Sequence, residues 1–131
     1  MKLLLDTHIW VWSHLSPDTL ARPVARELEN PGNELWLSSI SLWELGMLWQ
    51  KGRVVLNEHL DAWVPKALRA FPLHEAPVNH EVALESRRVQ IPHADPADHF
   101  LAATARVFDL TLVTADRQLA KVGDLKVLLN R

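Results

Sequence analysis

The chain has 131 residues, of which 48% are hydrophobic and 23% charged; 14 basic and 16 acidic side chains give a formal charge of −2. This length and balance describe one globular domain with its own core and exclude a disordered or low-complexity chain. With no cysteine, disulfides, thiolate metal sites and cysteine nucleophiles are excluded, and the mild acidity means that any nucleic-acid role must rest on a local site.

The opening Met1-Lys-Leu-Leu-Leu-Asp6 reads as a short buried strand over residues 2–5, not as a signal peptide, because Asp6 breaks the apolar run. Thr7-His8 opens a short apolar helix through Trp12. Ser16-Pro17-Asp18 carries a helix start, and a second helix is expected to run to about Asn30, where Pro31-Gly32 stops it. Glu34–Ser38 alternates as a strand. A helix follows from Ser41 to about Trp49, ended by Gly52. Residues 57–70 form a further helix with Pro65 as a kink or break, and Phe71–Glu75 is a third strand. Asn79 caps a helix that ends near Val89.

Pro92 and Pro96 bracket a loop. A helix then runs from Asp95 or Pro96 to Phe108. Leu110–Thr114 is a buried strand, residues 117–120 make a helical turn, and Lys126–Leu129 is a last strand. No linker or repeat divides the chain, and no stretch approaches 18 consecutive apolar residues. Strands alternate with helices throughout, which predicts a single α/β domain over 1–131 with a mainly parallel central sheet flanked by helices. Its ligand site is expected beyond the C-terminal strand ends.

The acids fall where such a site would be. Asp6 directly follows the first strand, and Asp116 follows the Leu110–Thr114 strand after one residue. Glu44 sits in a helix that is apolar on nearly every face; a buried unpaired carboxylate costs several kcal/mol, so a cation or proton must accompany it. Asp95 and Asp98 occupy the first turn of the helix carrying Phe100-Leu-Ala-Ala-Thr-Ala105. Their spacing resembles a capping box, so Asp95 is expected to cap and Asp98 to act in the site. Asp6 and Asp116 also have plainer readings as a cap and a turn residue. Together, these carboxylates suit a hard divalent cation such as Mg²⁺ or Mn²⁺. They then suit hydrolysis of a phosphodiester, since the metal reverses the local sign of charge.

Four segments occur in order: Leu4-Leu-Asp6-Thr7-His8, Ser38-Ser39-Ile-Ser-Leu-Trp-Glu44-Leu, Asp95-Pro-Ala-Asp98-His-Phe-Leu-Ala-Ala-Thr-Ala105, and Leu112-Val-Thr114-Ala-Asp116. In this order and spacing the chain resembles the PIN-domain family, and within it the VapC-type toxin ribonucleases of toxin–antitoxin pairs, from residue 3 to about 128. The resemblance implies a Mg²⁺- or Mn²⁺-dependent endoribonuclease acting on RNA. It also implies a VapB-like antitoxin partner and a homodimer; the cytoplasm is the expected compartment on the separate ground that the opening is no signal peptide and no apolar run is long enough to span a membrane. By the same resemblance Asp6, Glu44, Asp98 and Asp116 are the catalytic and metal-binding acids. Asp95 matches the Asp-Pro of many members, and Thr7 and Thr114 match supporting hydroxyls. One position departs: His99 stands where members with this motif often have Arg.

Other readings are bland by comparison. His93 is expected to be a bystander, and His8 to cap or face solvent beside the pocket mouth. Lys51 with Arg53, Arg87 with Arg88, and Arg117 are the basic groups available to RNA, although a solvated surface is the ordinary role of each. Trp10, Trp12, Trp43 and Trp49 have the chemistry to stack on bases, but core or interface packing is the expectation. Trp10 and Trp12 are two apart on one helix and cannot both face the core squarely. One of them is therefore expected at a dimer contact or an antitoxin groove. Two other functions compete: a catalytically silent PIN scaffold that binds a partner, and a metal-dependent phosphatase. The latter lacks an Asp-x-Asp after the first strand, where the residues are Asp6-Thr7-His8. No Gly-x-Gly-x-x-Gly follows that strand, and no Gly-x-Ser-x-Gly turn is present.

Overall fold

The structure is a computed structural model and describes residues 1–92 and 95–131. Five parallel strands, β1 (Lys2–Leu5), β2 (Glu34–Ser38), β3 (His74–Ala76), β4 (Thr111–Thr114) and β5 (Val127–Leu129), lie in the order β3-β2-β1-β4-β5. Register pairs Leu3 with Leu35 of β2 and with Thr111 of β4, and Leu4 with Leu112. The central strand β1 is buried on both faces, which its Leu3-Leu4-Leu5 run dictates. Alternation along it divides the core in two. Leu3 and Leu5 join Ile9, Trp10, Leu37, Leu45 and Trp63 on one face, whereas Leu4 joins Leu101, Ala102, Ala105 and Leu112 on the other.

Among the described residues, six helices cover these faces: α1 (Thr7–Leu15), α2 (Arg22–Glu29), α3 (Ser39–Gln50), α4 (Leu60–Arg69), α5 (His80–Ser86) and α6 (Pro96–Val107). The chain steps from β1 to β2 to β3 on one side, then returns to place β4 on β1's other edge. The sheet therefore reverses its winding between β1 and β4, and a crevice opens at their C-terminal ends. The amide of Asp6 extends this pair by donating to the Val113 carbonyl at 2.9 Å.

Several boundaries differ from the sequence reading. The helix expected over 16–30 is two pieces, a 3₁₀ turn at Pro17–Thr19 and then α2. Pro23 in the first turn of α2 lacks an amide hydrogen and disfavours helical geometry before it, so the chain restarts there. α1 runs three residues past Trp12 to Leu15. α3 begins at Ser39, because the Ser38 hydroxyl accepts from the Ile40 amide at 3.1 Å and caps the helix. α4 begins at Leu60, capped by the His59 ring, and continues through Pro65 without breaking. β3 is shifted along the chain from 71–75 to His74–Ala76, since Phe71 instead stacks on His14. α5 stops at Ser86, short of Val89, and the last helical turn lies at Leu119–Lys121.

Candidate metal centre

Asp6, at the end of β1, is buried. The Thr114 hydroxyl donates to its Oδ2 at 2.6 Å, and the same hydroxyl oxygen accepts from the Asp116 amide at 3.1 Å. The ends of β1 and β4 are thus tied by one side chain. Asp116 is half-buried, and its Oδ1 accepts from the Gln118 amide at 2.9 Å, so its turn role and its place beside Asp6 coexist. Thr7 follows Asp6 directly, and its hydroxyl donates to Ser41 Oγ at 3.0 Å, both groups being fully buried. That bond joins α1 to α3 one turn before Glu44, which is itself only 6% exposed.

Asp95 and Asp98 reach the site from α6. Asp95 caps that helix, its Oδ1 accepting from the Asp98 amide at 3.0 Å. Asp98 is half-buried in the first turn. These side chains act on one another electrostatically. Burial pushes the Asp98 carboxyl up to about 7, with the charges of Asp95, Asp6, Asp116 and Glu44 adding to the rise. Burial likewise raises Asp6, opposed by the Thr114 bond and by His8, with Asp116 raising it further. Burial raises Glu44, opposed by the Thr7 hydroxyl, while Asp6 and Asp95 add their repulsion. Among the described residues no Lys, Arg or His forms an ion pair with any of the five acids.

The sequence-predicted carboxylates are therefore gathered at one sheet edge, and the two threonines contact them or their neighbours. The donor chemistry, carboxylate and hydroxyl oxygen, matches a hard divalent cation. Among the described residues, however, no group of three or more His, Asp or Glu side chains is already arranged to hold a metal ion. With no ion-paired partner among the described residues, the five acids repel one another.

The remaining candidates scatter. His8 is exposed at the start of α1, and its charge is felt by both Asp6 and Glu44. His99 borders a surface cavity with Arg87 and Phe100, to one side of the acids. His93 lies outside the described residues. Lys51, Arg53, Arg87, Arg88 and Arg117 are all exposed, and Arg88 pairs with Glu85 at 3.2 Å. Trp10 is fully buried, whereas Trp12 is half-buried at a groove. Trp49 packs edge-on against His59, and Trp43 stands 55% exposed on α3. Ser41 was not singled out as a site residue; its signal is a hydroxyl three positions before Glu44 inside an apolar helix.

A PIN-domain family model matches residues 3–125, and the chain belongs to the PIN-domain family. It is 30% identical over 120 residues to a Mycobacterium tuberculosis (strain ATCC 25618 / H37Rv) protein, Ribonuclease VapC22, covering 89% of this chain and 88% of that one. Among solved structures it is similar to VapBC2 from Rickettsia felis bound to a DNA fragment from the promoter, at a TM-score of 0.75, 20% identity and full coverage of both chains. It is also similar to DNA-bound VapBC from Salmonella typhimurium, with a TM-score of 0.69, 18% identity, and coverage of 98% of this chain and 97% of that one. VapBC-5 from Mycobacterium tuberculosis gives a TM-score of 0.63 at 19% identity, covering 99% and 98%. At such identities the structural likeness establishes the fold.

Proposed function

We propose that this chain is a VapC-type toxin, a divalent-metal-dependent endoribonuclease that hydrolyses RNA phosphodiester bonds and is neutralised by a VapB-like antitoxin. The observation that carries the reading is the set of carboxylates at the β1/β4 switch point: Asp6, Glu44 and Asp98 are raised in pKa by burial and by neighbouring acids, and among the described residues none of the five acids is ion-paired. The family match and the relative named a ribonuclease support it. Asp6, Glu44, Asp98 and Asp116 would hold Mg²⁺ or Mn²⁺, with Asp95 adding its charge beside its capping role. Bound there, the cation supplies charge neutralisation and Lewis acidity toward a phosphodiester and an attacking water.

The chain's own groups do the rest. Thr114 holds Asp6 in orientation. The Thr7–Ser41 bond fixes the α1 start against α3 and so positions Glu44. Asp98, with a carboxyl near 7, takes up and releases its proton around neutral pH when no cation is present. The solved VapBC assemblies support an antitoxin partner, and the homodimer is carried over from the family resemblance alone. Among the described residues no helix is long and apolar enough to cross a membrane, and we place the protein in the cytoplasm.

One observation favours a second reading, a silent scaffold: no three described side chains are yet arranged around a metal position. Cleavage of total RNA by the antitoxin-free chain decides between them. Discrete fragments with Mg²⁺ or Mn²⁺, lost with EDTA and in Glu44→Gln, are expected. A folded chain that neither binds Mn²⁺ nor cuts RNA is the scaffold.

A further inference from the structure

We infer that the groove between α1 and residues 53–57 is a nucleobase subsite, taking a base of single-stranded RNA next to the phosphate held at the acids. The inference rests on the ribonuclease reading above and deepens it. Residues His8, Val11, Trp12 and Leu15 share one face of α1, at the i, i+3, i+4, i+7 spacing, and all four line the groove. Opposite them runs the segment after α3. Its start is pinned, because the Arg53 and Val54 amides both donate to the Leu48 carbonyl and Gly52 turns the chain at φ 72°. The groove encloses about 550 Å³, within the roughly 300–1,000 Å³ range of small-ligand sites.

Its chemistry is that of a nucleotide. Trp12 is half-buried, its ring centroid 5.7 Å from that of His8 and tilted by 53°. Together the two rings offer flat faces to a base. Val55, 81% exposed, and Leu15 add apolar rim. Asn57 supplies donor and acceptor groups for a base edge. Arg53 is exposed, lines the groove and forms no ion pair among the described residues. A cation there suits a backbone phosphate one step from the acidic cleft. The groove lies beside the acids: His8, which lines it, is two residues after Asp6, and its charge acts on both Asp6 and Glu44. From His8 to Leu15 the helix extends about 10 Å. An apolar protein segment would have no use for Arg53, Asn57 and His8 together.

The test uses the full chain carrying Glu44→Gln, with Mg²⁺, titrated with a mixed-sequence single-stranded RNA hexanucleotide. The Trp12 indole N–H is followed by ¹H–¹⁵N NMR. A saturable shift of that resonance is expected. Arg53→Ala and Trp12→Leu each weaken binding by about 10-fold, Trp12→Phe retains it, and Lys126→Ala, exposed at the opposite, N-terminal edge of the sheet, leaves it unchanged. In the cleaving chain Arg53→Ala, which sits at the surface and keeps the fold, raises KM and broadens sequence preference. An unmoved Trp12 resonance with RNA overturns the inference, as does an Arg53→Ala chain with unaltered affinity and cleavage pattern. A shift produced by an acidic amphipathic peptide and not by RNA assigns the groove to a protein partner and overturns it too. RNA that shifts Trp12 in a chain that never cuts RNA keeps the subsite and removes the nuclease reading; cleavage without any Trp12 shift does the reverse.

Discussion

The hydroxyl of Thr114 donates to the carboxylate of Asp6 across 2.6 Å, between residues 108 positions apart in the chain. Both are buried, and the same oxygen accepts from the amide of Asp116. A hydroxyl that donates to a buried carboxylate favours its ionised form and so opposes the rise that burial causes. Thr114→Val preserves the shape of the side chain and removes this bond. It is expected to destabilise the fold by about 1–3 kcal/mol, read as a lowered Tm. It should also raise the Asp6 pKa further and weaken Mn²⁺ binding, followed by calorimetry, whereas Thr114→Ser restores most of both. A Thr114→Val chain with unchanged Mn²⁺ affinity contradicts the link.

Glu44→Gln separates stability from function. Glu44 is 6% exposed, shares the buried side of α3 with Ser41, Leu45 and Leu48, and is raised in pKa by burial and by Asp6. Replacing it by a neutral amide of the same shape relieves that strain. Metal-free Glu44→Gln is expected to melt at or above the temperature of the parent at pH 7.5, while RNA cleavage falls by at least 100-fold. This pattern marks a residue retained for function at a cost in stability. A fall in both together would make Glu44 a packing residue.

The strand–helix alternation and the acids at strand ends were legible because they are local. Three leucines before Asp6 require a buried strand, and Leu112-Val-Thr114-Ala-Asp116 repeats that pattern on the neighbouring strand. The Asp95 cap was legible from its spacing to Asp98 and is present as a 3.0 Å bond. What the sequence hid depends on docking between distant elements. Trp10, His14, Trp63 and Phe71 form one aromatic cluster from three segments, and it is this cluster that draws Phe71 away from the expected third strand. The second helix was over-extended because Ser16-Pro17 looks like a helix start whether three or fourteen residues follow; Pro23 was the signal for the restart. Ser41 was hidden because its role is a hydroxyl bond to Thr7, 34 residues away.

Asp95→Ala and Asp95→Asn distinguish cap from charge. Both remove the negative charge that raises Asp98 and Glu44, but only Asp95→Ala removes the oxygen that accepts from the Asp98 amide. Loss of such a cap costs about 1 kcal/mol. Asp95→Ala is therefore expected to lower the Tm by several degrees, and Asp95→Asn by little. If Asp95 also supplies charge to the cation, the two variants lower Mn²⁺ affinity alike. Equal stability of Asp95→Ala and the parent would remove the capping role.

The Asp98 carboxyl, held up to about 7, sets a pH dependence with a definite sign. Its folded pKa lies above the value of 3.8 for a free aspartate, so between those two values the folded state holds more protons than the unfolded one. Stability of the metal-free chain therefore falls as pH rises from about 4 to about 7 and levels off above that. The half-buried side chain is screened in part by solvent, which limits the effect to roughly 1–2 kcal/mol. Asp98→Asn should flatten the dependence and match or exceed the parent's Tm at pH 7.5. Cation binding has the opposite slope, because the ligand must lose its proton. Mn²⁺ affinity is expected to fall by up to 10-fold per pH unit below about 7, so the cation raises the Tm most at pH 7.5 and least at pH 5.5. Melting curves at four pH values, with EDTA and with Mn²⁺, measure both slopes in one series. Parallel curves in the two conditions would separate Asp98 from the metal site.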